Sequence, residues 1–190
     1  MEINQWQDQI VLGTLLGSGF MVRSIQKETP NYYVGMSETR NDQWFNYKCQ
    51  ELALFAAKTP VCRSANALKW RSKAGANWHC YWNQFHDAEG NLTVQMETLD
   101  KLKDTALAVW FGDKGFWYTS RRLGLRTGKF KDGNFTICKY FNEVGIPCDI
   151  RTDANNTTRC IFTREGTIAF FATCGHCLPE FMLHRLETKN

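Results

Sequence analysis

Two apolar stretches decide the fold of this chain: VLGTLLGSG at residues 11–19 and LAVWFGDKG at residues 107–115. Each ends in a glycine, and these two glycines, Gly19 and Gly115, lie 96 residues apart in a chain of 190. The apolar spacing predicts a helix over residues 6–17, although Gly13 and Gly17 interrupt it at a cost of about 1 kcal/mol each relative to alanine. Glycines at such positions indicate that another backbone approaches closely. We therefore expect one domain built from two similar halves.

The elements predicted around the two stretches follow a similar order in each half. Apolar periodicity and turn residues predict helices over residues 6–17, 43–57, 105–111, 137–144 and 179–186. They predict strands over residues 21–26, 32–36, 64–71, 77–82, 148–152 and 159–163. Residues 167–172 are apolar and fit either class. The order is an internal repeat, which divides the chain into residues 1–95 and 96–190.

Composition indicates a folded chain and excludes several classes of protein. Apolar residues make up 43% and charged residues 22% of the chain, which is ordinary for a globular domain. The longest apolar stretch, residues 106–111, is far shorter than the ~20 residues of a membrane span. Residues 1–9 have neither the basic end nor the apolar core of a secretory signal. We therefore expect no membrane partner and an intracellular location, in the cytoplasm or an organelle matrix, with the eight cysteines reduced.

The basic residues are concentrated in two stretches, although the net charge of +4 is modest. Residues 58–86 hold five Lys or Arg and no acid, and residues 121–139 hold six with a single acid. Both stretches are rich in aromatic and polar residues, a pattern typical of surfaces that bind a polyanion such as nucleic acid. The alternative is that each is a solvated face.

The two apolar stretches resemble the paired motifs of the LAGLIDADG homing endonucleases. Residues 99–103 resemble the usual lead-in to the second motif, residues 129–130 the strand after it, and residues 182–186 the end of many members. The resemblance implies a mixed α+β fold of two pseudo-symmetric α-β-β-α-β-β-α halves with saddle-shaped antiparallel sheets. It also implies that the motif helices pack together at the pseudo-twofold axis through small residues. These are Gly13, Gly17, Ala108 and Gly112.

The resemblance further implies a monomer that binds a long site in double-stranded DNA, with its sheets along the major groove. Basic side chains are then expected to contact guanine and phosphate. By their position on the predicted strands and turns, the candidates are Arg23, Lys27, Lys69, Arg71, Lys73, Arg121, Arg122, Arg126, Lys129 and Lys131. A non-cleaving DNA-binding regulator and an RNA-binding intron maturase are the alternatives, because the same basic surface suits either nucleic acid.

The residues expected to perform cleavage depart from the family pattern. In the family, an Asp before each final glycine binds Mg²⁺, which activates water against the scissile phosphates. Here those positions hold Ser18, a weak neutral ligand, and Lys114, whose ammonium repels a cation. Asp113 lies one position earlier, about 100° around a helix, and is the remaining candidate metal ligand. The sequence therefore predicts weakened or lost cleavage, with Mg²⁺ as cofactor only if activity remains and with Lys114 supplying positive charge near a phosphate.

A third motif, Cys174-Gly175-His176-Cys177, resembles the site of thioredoxin-like oxidoreductases. Only 13 residues follow it, which is too few for the strands and the helix that this fold needs after the motif. No second pair of Cys or His has the spacing of a structural zinc site. We therefore expect these two cysteines to be buried before the last helix.

Overall fold

The first half of the chain alternates helices with pairs of strands. The computed structural model describes residues 2–26, 29–38, 42–64 and 67–185. In chain order, the elements of the first half are α1 (Gln5–Leu16), β1 (Gly19–Gln26), β2 (Thr29–Glu38), α2 (Asp42–Glu51), β3 (Ala56–Ser64), β4 (Ala67–Ser72) and α3 (His79–Phe85). Short 3₁₀ turns at Ala53–Phe55 and Ala76–Trp78 precede β3 and α3.

The second half repeats this order after one turn of helix, α4 (Met96–Leu99). Its further elements are α5 (Asp104–Lys114), β5 (Gly115–Thr119), β6 (Arg122–Arg126), α6 (Gly133–Glu143), β7 (Cys148–Thr152), β8 (Thr158–Phe162) and α7 (Arg164–Cys174). The 3₁₀ segments lie at Gly128–Phe130, Gly175–Cys177 and Glu180–Arg185. The predicted α+β class with an α-β-β-α-β-β-α unit in each half is confirmed.

Each half contains one four-stranded antiparallel sheet with the same strand order. The orders are β1-β2-β4-β3 and β5-β6-β8-β7. The repeat extends to individual contacts, because Phe20 lies opposite Gly35 in the first sheet and Phe116 opposite Gly124 in the second. In both pairs, a Cβ on the glycine would meet the phenylalanine ring. The two halves therefore share packing as well as topology.

The two motif helices, α1 and α5, are the most deeply buried elements. Residues 9–16 of α1 and 106–112 of α5 are buried on every side, as expected of helices that are apolar all round. Helix α1 begins with a capping box, in which Asn4 and Gln7 each bind the other's backbone N–H. Each helix leads almost directly into the first strand of its sheet. The C-terminal ends of the helices therefore lie where the two sheets begin.

Aromatic side chains fill much of the remaining core. In the second half, Phe141 packs edge-to-face against Phe162, and Phe162 stacks on Phe170 at a centroid distance of 5.1 Å. Such contacts add about 0.5–1.5 kcal/mol each beyond the area that they bury. Across the part of the chain that the structure describes, no helix is both long and apolar enough to cross a bilayer.

The predicted strand over residues 77–82 is wrong, because the chain forms a 3₁₀ turn and then α3 there. Trp78, Tyr81 and Phe85 are the buried residues of this segment, and their spacing of three and four is helical. The preference of aromatic residues for strands is the weaker signal, because it depends on context.

Other boundaries also differ from the prediction. Helix α2 ends at Glu51 rather than at residue 57, because Ala56 already pairs with Ser72 in the sheet. Residues 167–172 belong to α7, whose N-cap Thr163 accepts a hydrogen bond from the backbone of Gly166. The predicted last helix is a 3₁₀ segment, Glu180–Arg185, and residue 186 lies outside the described residues.

Candidate functional site

The candidate site lies where the ends of α1 and α5 meet. A Cβ on Gly13 would lie 2.4 Å from the carbonyl oxygen of Ala106, and one on Gly17 would lie 2.4 Å from a carboxylate oxygen of Asp113. These two glycines therefore allow the close approach of the helices. Ala108 is buried in α5. Gly112 instead faces the Trp44 ring of α2, which a Cβ would meet at 2.4 Å, so its lack of a side chain makes room for α2.

Asp113 is the centre of a buried hydrogen-bond network that joins the two halves. Its side chain is fully buried. One carboxylate oxygen accepts bonds from the backbone N–H of Ser18 at 2.9 Å and from the Ser18 hydroxyl at 2.8 Å. The other accepts bonds from Trp44 Nε1 at 2.6 Å and from the ammonium of Lys48 at 2.5 Å. Four donors from the first half therefore hold this one carboxylate of the second half.

Lys48 is a fully buried cation that also contacts Glu38 and Ser18. Its ammonium lies 3.2 Å from a carboxylate oxygen of Glu38 and donates to the Ser18 hydroxyl at 3.1 Å. Burial opposes ionisation of Asp113, but the charge and hydrogen bond of Lys48 outweigh it and hold the pKa of Asp113 below its usual value. Burial and the charge of Asp113 raise the pKa of Glu38. Asp113 is therefore the ionised partner of Lys48.

Lys129 carries a second buried ammonium, which is hydrogen-bonded within the protein. Its ammonium donates to three backbone carbonyls of the first half, those of Leu15, Gly17 and Gly19. These carbonyls include the end of α1, where the helix dipole favours a cation. Burial, reinforced by the charge of Lys114, lowers the pKa of Lys129 to about 7. Lys129 therefore fastens one half to the other, and its ammonium points into the protein rather than toward a groove.

Ser18 and Lys114 differ in what they offer to a ligand. The Ser18 hydroxyl is engaged by Asp113 and Lys48. Lys114 is half-buried at the end of α5 and lines a pocket that opens between β6 and the loop before β8. The same pocket is lined by Arg126 and Asn156. Positive charge is thus exposed beside the network centred on Asp113.

The donor set at this site does not fit the Mg²⁺ that the family resemblance implies. Mg²⁺ requires oxygen ligands with free lone pairs in near-octahedral arrangement. Both oxygens of Asp113 already accept hydrogen bonds, one of them from an ammonium. Among the described residues, no group of three or more His, Cys, Asp or Glu is arranged to hold a metal ion. The residues that surround Asp113 thus occupy the lone pairs that a metal needs.

The first sheet presents a basic outer face. Lys69 and Arg71 are exposed and alternate with the buried side chains of β4, and Lys73, directly after the strand, is also exposed. The register pairs Phe20 with Gly35 and Gly35 with Arg71, so Phe20 belongs to this outer face too. Arg23 does not. It lies opposite the buried Tyr32, which places its side chain on the other face of the sheet.

The second sheet presents a matching face in which arginines flank an aromatic ring. Arg126 and Arg159 lie opposite each other on β6 and β8, and their guanidinium carbons lie 5.3 and 5.4 Å from the Phe116 ring centroid. Arg122 points to the same face by its spacing from Arg126, and its Nε donates to the Phe162 carbonyl at 2.8 Å.

Two arginines of this surface were not predicted from the sequence. Arg151 pairs with Arg159 in register, and neither was predicted, because the second strand pair lies outside the two basic stretches. Arg121 and Lys131 are exposed in turns beside β6. Lys27 lies outside the described residues. The sequence signal for Arg151 and Arg159 is the alternation of side chains along β7 and β8, which places both arginines on the face opposite the buried cysteines of these strands.

The prediction that both cysteines of the third motif are buried is confirmed for Cys174 but only in part for Cys177. Cys174 is buried at the end of α7, and burial raises the pKa of its thiol. Cys177 is partly buried, and burial also raises the pKa of its thiol. Neither has the low pKa of a catalytic thiol.

Two α-β-β-α-β-β-α units in one chain, joined by a pair of buried glycine-containing helices, define the class of single-chain, two-motif LAGLIDADG proteins. The family comparison agrees, because the model of the LAGLIDADG DNA endonuclease family matches residues 8–170. The chain therefore belongs to this family. No curated protein matches the sequence with significance.

Solved structures show the same fold at low sequence identity. The homing endonuclease I-WcaI bound to its DNA recognition sequence is 14% identical, with a TM-score of 0.84 over 100% of this chain and 89% of that one. A variant of I-DmoI with its target DNA and magnesium is 14% identical, with a TM-score of 0.60 over 89% and 95%. The meganuclease I-AabMI bound to uncleaved DNA is 11% identical, with a TM-score of 0.56 over 97% and 88%. At such identities the likeness establishes the fold alone.

Proposed function

We propose that this protein binds double-stranded DNA through the outer faces of its two sheets and does not cleave it. The observation that carries the second half of this proposal is the carboxylate of Asp113, whose two oxygens already accept four hydrogen bonds, one of them from the buried ammonium of Lys48. Cleavage by this family's route needs a divalent cation between the helix ends. The bound protein then acts as a regulator or a positioning factor, for which no metal chemistry is needed.

Support for DNA as the partner comes from the basic outer faces. On the first sheet Lys69, Arg71 and Lys73 form an exposed row. On the second, Arg126 and Arg159 cover the face of Phe116, which holds them extended along the sheet. Side chains on adjacent strands of a twisted sheet can follow a groove and its phosphates. Both motif helices belong to one chain, so we also propose that the protein acts as a monomer.

The first experiment tests binding and cleavage on the same molecules. A random duplex library is selected on the immobilised protein, and the selected duplex is labelled for fluorescence anisotropy. We expect binding that does not require Mg²⁺, with an affinity in about 10 mM Mg²⁺ no higher than in EDTA because Mg²⁺ competes for the phosphates, and with the duplex intact after prolonged incubation. Defined cut products that require Mg²⁺ would refute the non-cleaving proposal. Binding to structured RNA without binding to any DNA duplex would favour the alternative hypothesis of an RNA-binding maturase.

The second experiment tests the outer face of the first sheet. Each phosphate contact contributes about one unit to the slope of log affinity against log salt. The double variant Arg71→Ala/Lys73→Ala is therefore expected to reduce this slope by about two units and to weaken binding on all duplexes alike. The matched control is Arg23→Ala, which removes an exposed arginine from the opposite face of the same sheet. An unchanged slope in the double variant, or an equal fall in the control, contradicts the assignment of this face.

A further inference from the structure

A cluster of three thiols lies beneath the second sheet, apart from the helix ends and the basic faces. Cys138 belongs to α6, Cys148 begins β7, and Cys160 lies in β8. The Sγ atoms of Cys138 and Cys148 are 3.5 Å apart, and those of Cys148 and Cys160 are 3.1 Å apart. Because α6 packs on β7 and β8, three residues that are dispersed in the sequence converge here.

The three thiols differ in their access to solvent. Cys148 and Cys160 are buried, with 5% and 2% of their surface exposed. Cys138 is partly exposed. A reagent that approaches from solvent therefore meets Cys138 first, and finds a buried thiol behind it at contact distance.

Asn142 holds Cys138 and Cys148 in place. Its side-chain amide donates to the carbonyl of Cys148 at 3.1 Å and to the sulfur of Cys138 at 3.4 Å. Its side-chain oxygen accepts the backbone N–H of Cys148 at 3.3 Å. One side chain thus fixes the start of β7 against α6 and supplies a donor to the Cys138 sulfur.

The surroundings of Cys138 favour its thiolate. Hydrogen bonding within the cluster, with the thiols of Cys160 and Cys148 and the side-chain amide of Asn142, lowers the pKa of Cys138 to about 6 despite partial burial. The pKa of Cys160 is raised well above its usual value by the same hydrogen bonds. Cys138, the partly exposed thiol, is therefore the member of the cluster that loses its proton most readily. A thiolate sulfur is the attacking atom in thiol oxidation.

We propose that Cys138 is a peroxide-reactive site and that Cys148 resolves it as an intramolecular disulfide. The Cys138 thiolate attacks one oxygen of a hydroperoxide, whose O–O bond breaks to give a sulfenic acid on Cys138 and hydroxide or alkoxide. The sulfur of Cys148 then attacks the sulfenic sulfur, and the S–O bond breaks as the S–S bond forms. With hydrogen peroxide, the two thiols lose two protons and two electrons, and two water molecules are released.

The geometry supports Cys148 as the resolving partner. A disulfide requires the sulfurs to close from contact distance to about 2.05 Å, which side-chain rotation of neighbouring thiols can supply. Cys160 is nearer to Cys148, but it is diagonal to it across the strands, because Cys148 pairs with Phe162 and Cys160 with Ile150. Diagonal strand positions are further apart at the backbone than directly opposed ones. Cys160 therefore serves as a hydrogen-bond donor within the cluster, to the Cys148 sulfur, and supports the lowered pKa of Cys138.

The experiment uses the full chain and one equivalent of hydrogen peroxide at pH 7. After alkylation with iodoacetamide, trypsin separates the three cysteines into peptides 132–139, 140–151 and 160–164. We expect a non-reduced species that joins the first two peptides and that disappears on reduction. Preferential oxidation of the exposed Cys62 or Cys80 without this cross-link overturns the proposal.

Variants separate the roles of the three thiols. Cys138→Ser and Cys148→Ser each abolish the cross-link, and Cys148→Ser leaves a sulfenic acid that dimedone traps on residue 138. Cys160→Ala retains the cross-link but is expected to form it about tenfold more slowly, since it removes a hydrogen-bond donor of the cluster that lowers the pKa of Cys138. Cys62→Ser is the matched control and leaves the rate unchanged.

A second readout does not depend on the cross-link. The rate of iodoacetamide alkylation of Cys138 in the wild-type protein follows its thiolate fraction, so its midpoint is expected near pH 6. A midpoint near pH 8.5, the value of an ordinary thiol, overturns the proposal even if some disulfide forms. The same measurement remains available if a serine variant fails to fold.

Discussion

Replacing Asp113 by asparagine tests whether this carboxylate serves a protein cation or a metal ion. The change keeps the size of the side chain but removes the charge that Lys48 faces at 2.5 Å. It also converts one of the two acceptor oxygens into a donor. That amide must then face either Lys48 and Trp44, or the two donors of Ser18, all of which are hydrogen-bond donors.

The expected loss follows from the burial of the pair. Removing one partner of a buried ion pair costs about 3–5 kcal/mol, because the other charge is left uncompensated. Glu38 stays 3.2 Å from the Lys48 ammonium and offsets part of this loss. We therefore expect Asp113→Asn to reduce the free energy of unfolding by roughly 2–4 kcal/mol, or about 4–16 °C in melting temperature for a chain of this size.

The assay is urea unfolding at pH 7 in EDTA, so that no divalent cation contributes. A double-mutant cycle with Lys48→Met isolates the pair, since the double variant leaves neither charge at the contact. We expect a coupling free energy of about 2 kcal/mol or more between the two positions. The m-value, the slope of the unfolding free energy against urea concentration, serves as a control that each variant unfolds from the same compact state.

The opposite sign would refute the reasoning. A carboxylate held for a metal ion experiences repulsion from neighbouring acids when the ion is absent, so neutralising it stabilises the metal-free protein. If Asp113→Asn raised stability in EDTA and Mg²⁺ then stabilised only the wild type, Asp113 would be a metal ligand. In that case the proposed loss of cleavage would fail as well.

Two further predictions concern the contact between the halves. Because burial and Lys114 lower the pKa of Lys129 to about 7, the unfolded chain binds an additional proton there from pH 7 to about 10. The free energy of unfolding should therefore rise with pH in this window, by roughly 2 kcal/mol between pH 7 and 9, and Lys129→Met should lose this rise in urea titrations at the two pH values. Gly13→Ala should cost about 1–3 kcal/mol, since its Cβ meets backbone of α5, whereas Gly75→Ala, with nothing within 4 Å of its Cβ, should change stability by less than about 1 kcal/mol in the same titration. Equal effects of the two glycine changes would contradict the close approach of the helices.

The internal repeat could be predicted from the sequence because it depends on local signals. Apolar periods and terminal glycines determine where α1 and α5 begin and end, and turn residues separate the strands. Residues 77–82 were misread because aromatic side chains fit both a strand and a buried helix face. The spacing of Trp78, Tyr81 and Phe85, three and four residues apart, indicates a helix. Periodicity is thus the better guide where it conflicts with residue preference.

The network at the helix ends depends on contacts between distant residues, which are harder to predict. Asp113 and Lys48 are 65 residues apart. One local signal was present, because Trp44, Phe45 and Lys48 are buried on α2 at helical spacing. A lysine within an apolar helix face requires a buried anion. Lys129 offered no such signal, since its basic neighbours made it resemble a DNA contact.

Ser18, Lys114 and Lys48 at the helix ends share one consequence. None of them leaves an uncompensated negative charge that would need a metal cation. A site of two carboxylates is anionic until Mg²⁺ binds. Here the buried acids Asp113 and Glu38 pair with the buried cation Lys48, the Lys129 ammonium lies on the backbone carbonyls at the end of α1, and Lys114 adds positive charge at the edge. A divalent ion placed about 4 Å from the Lys48 ammonium would meet a repulsion of roughly 8 kcal/mol at an effective dielectric constant of about 20. This repulsion weakens the attraction that the Asp113 carboxylate would exert on such an ion, and it is the electrostatic basis of the proposal that the protein binds DNA without cutting it.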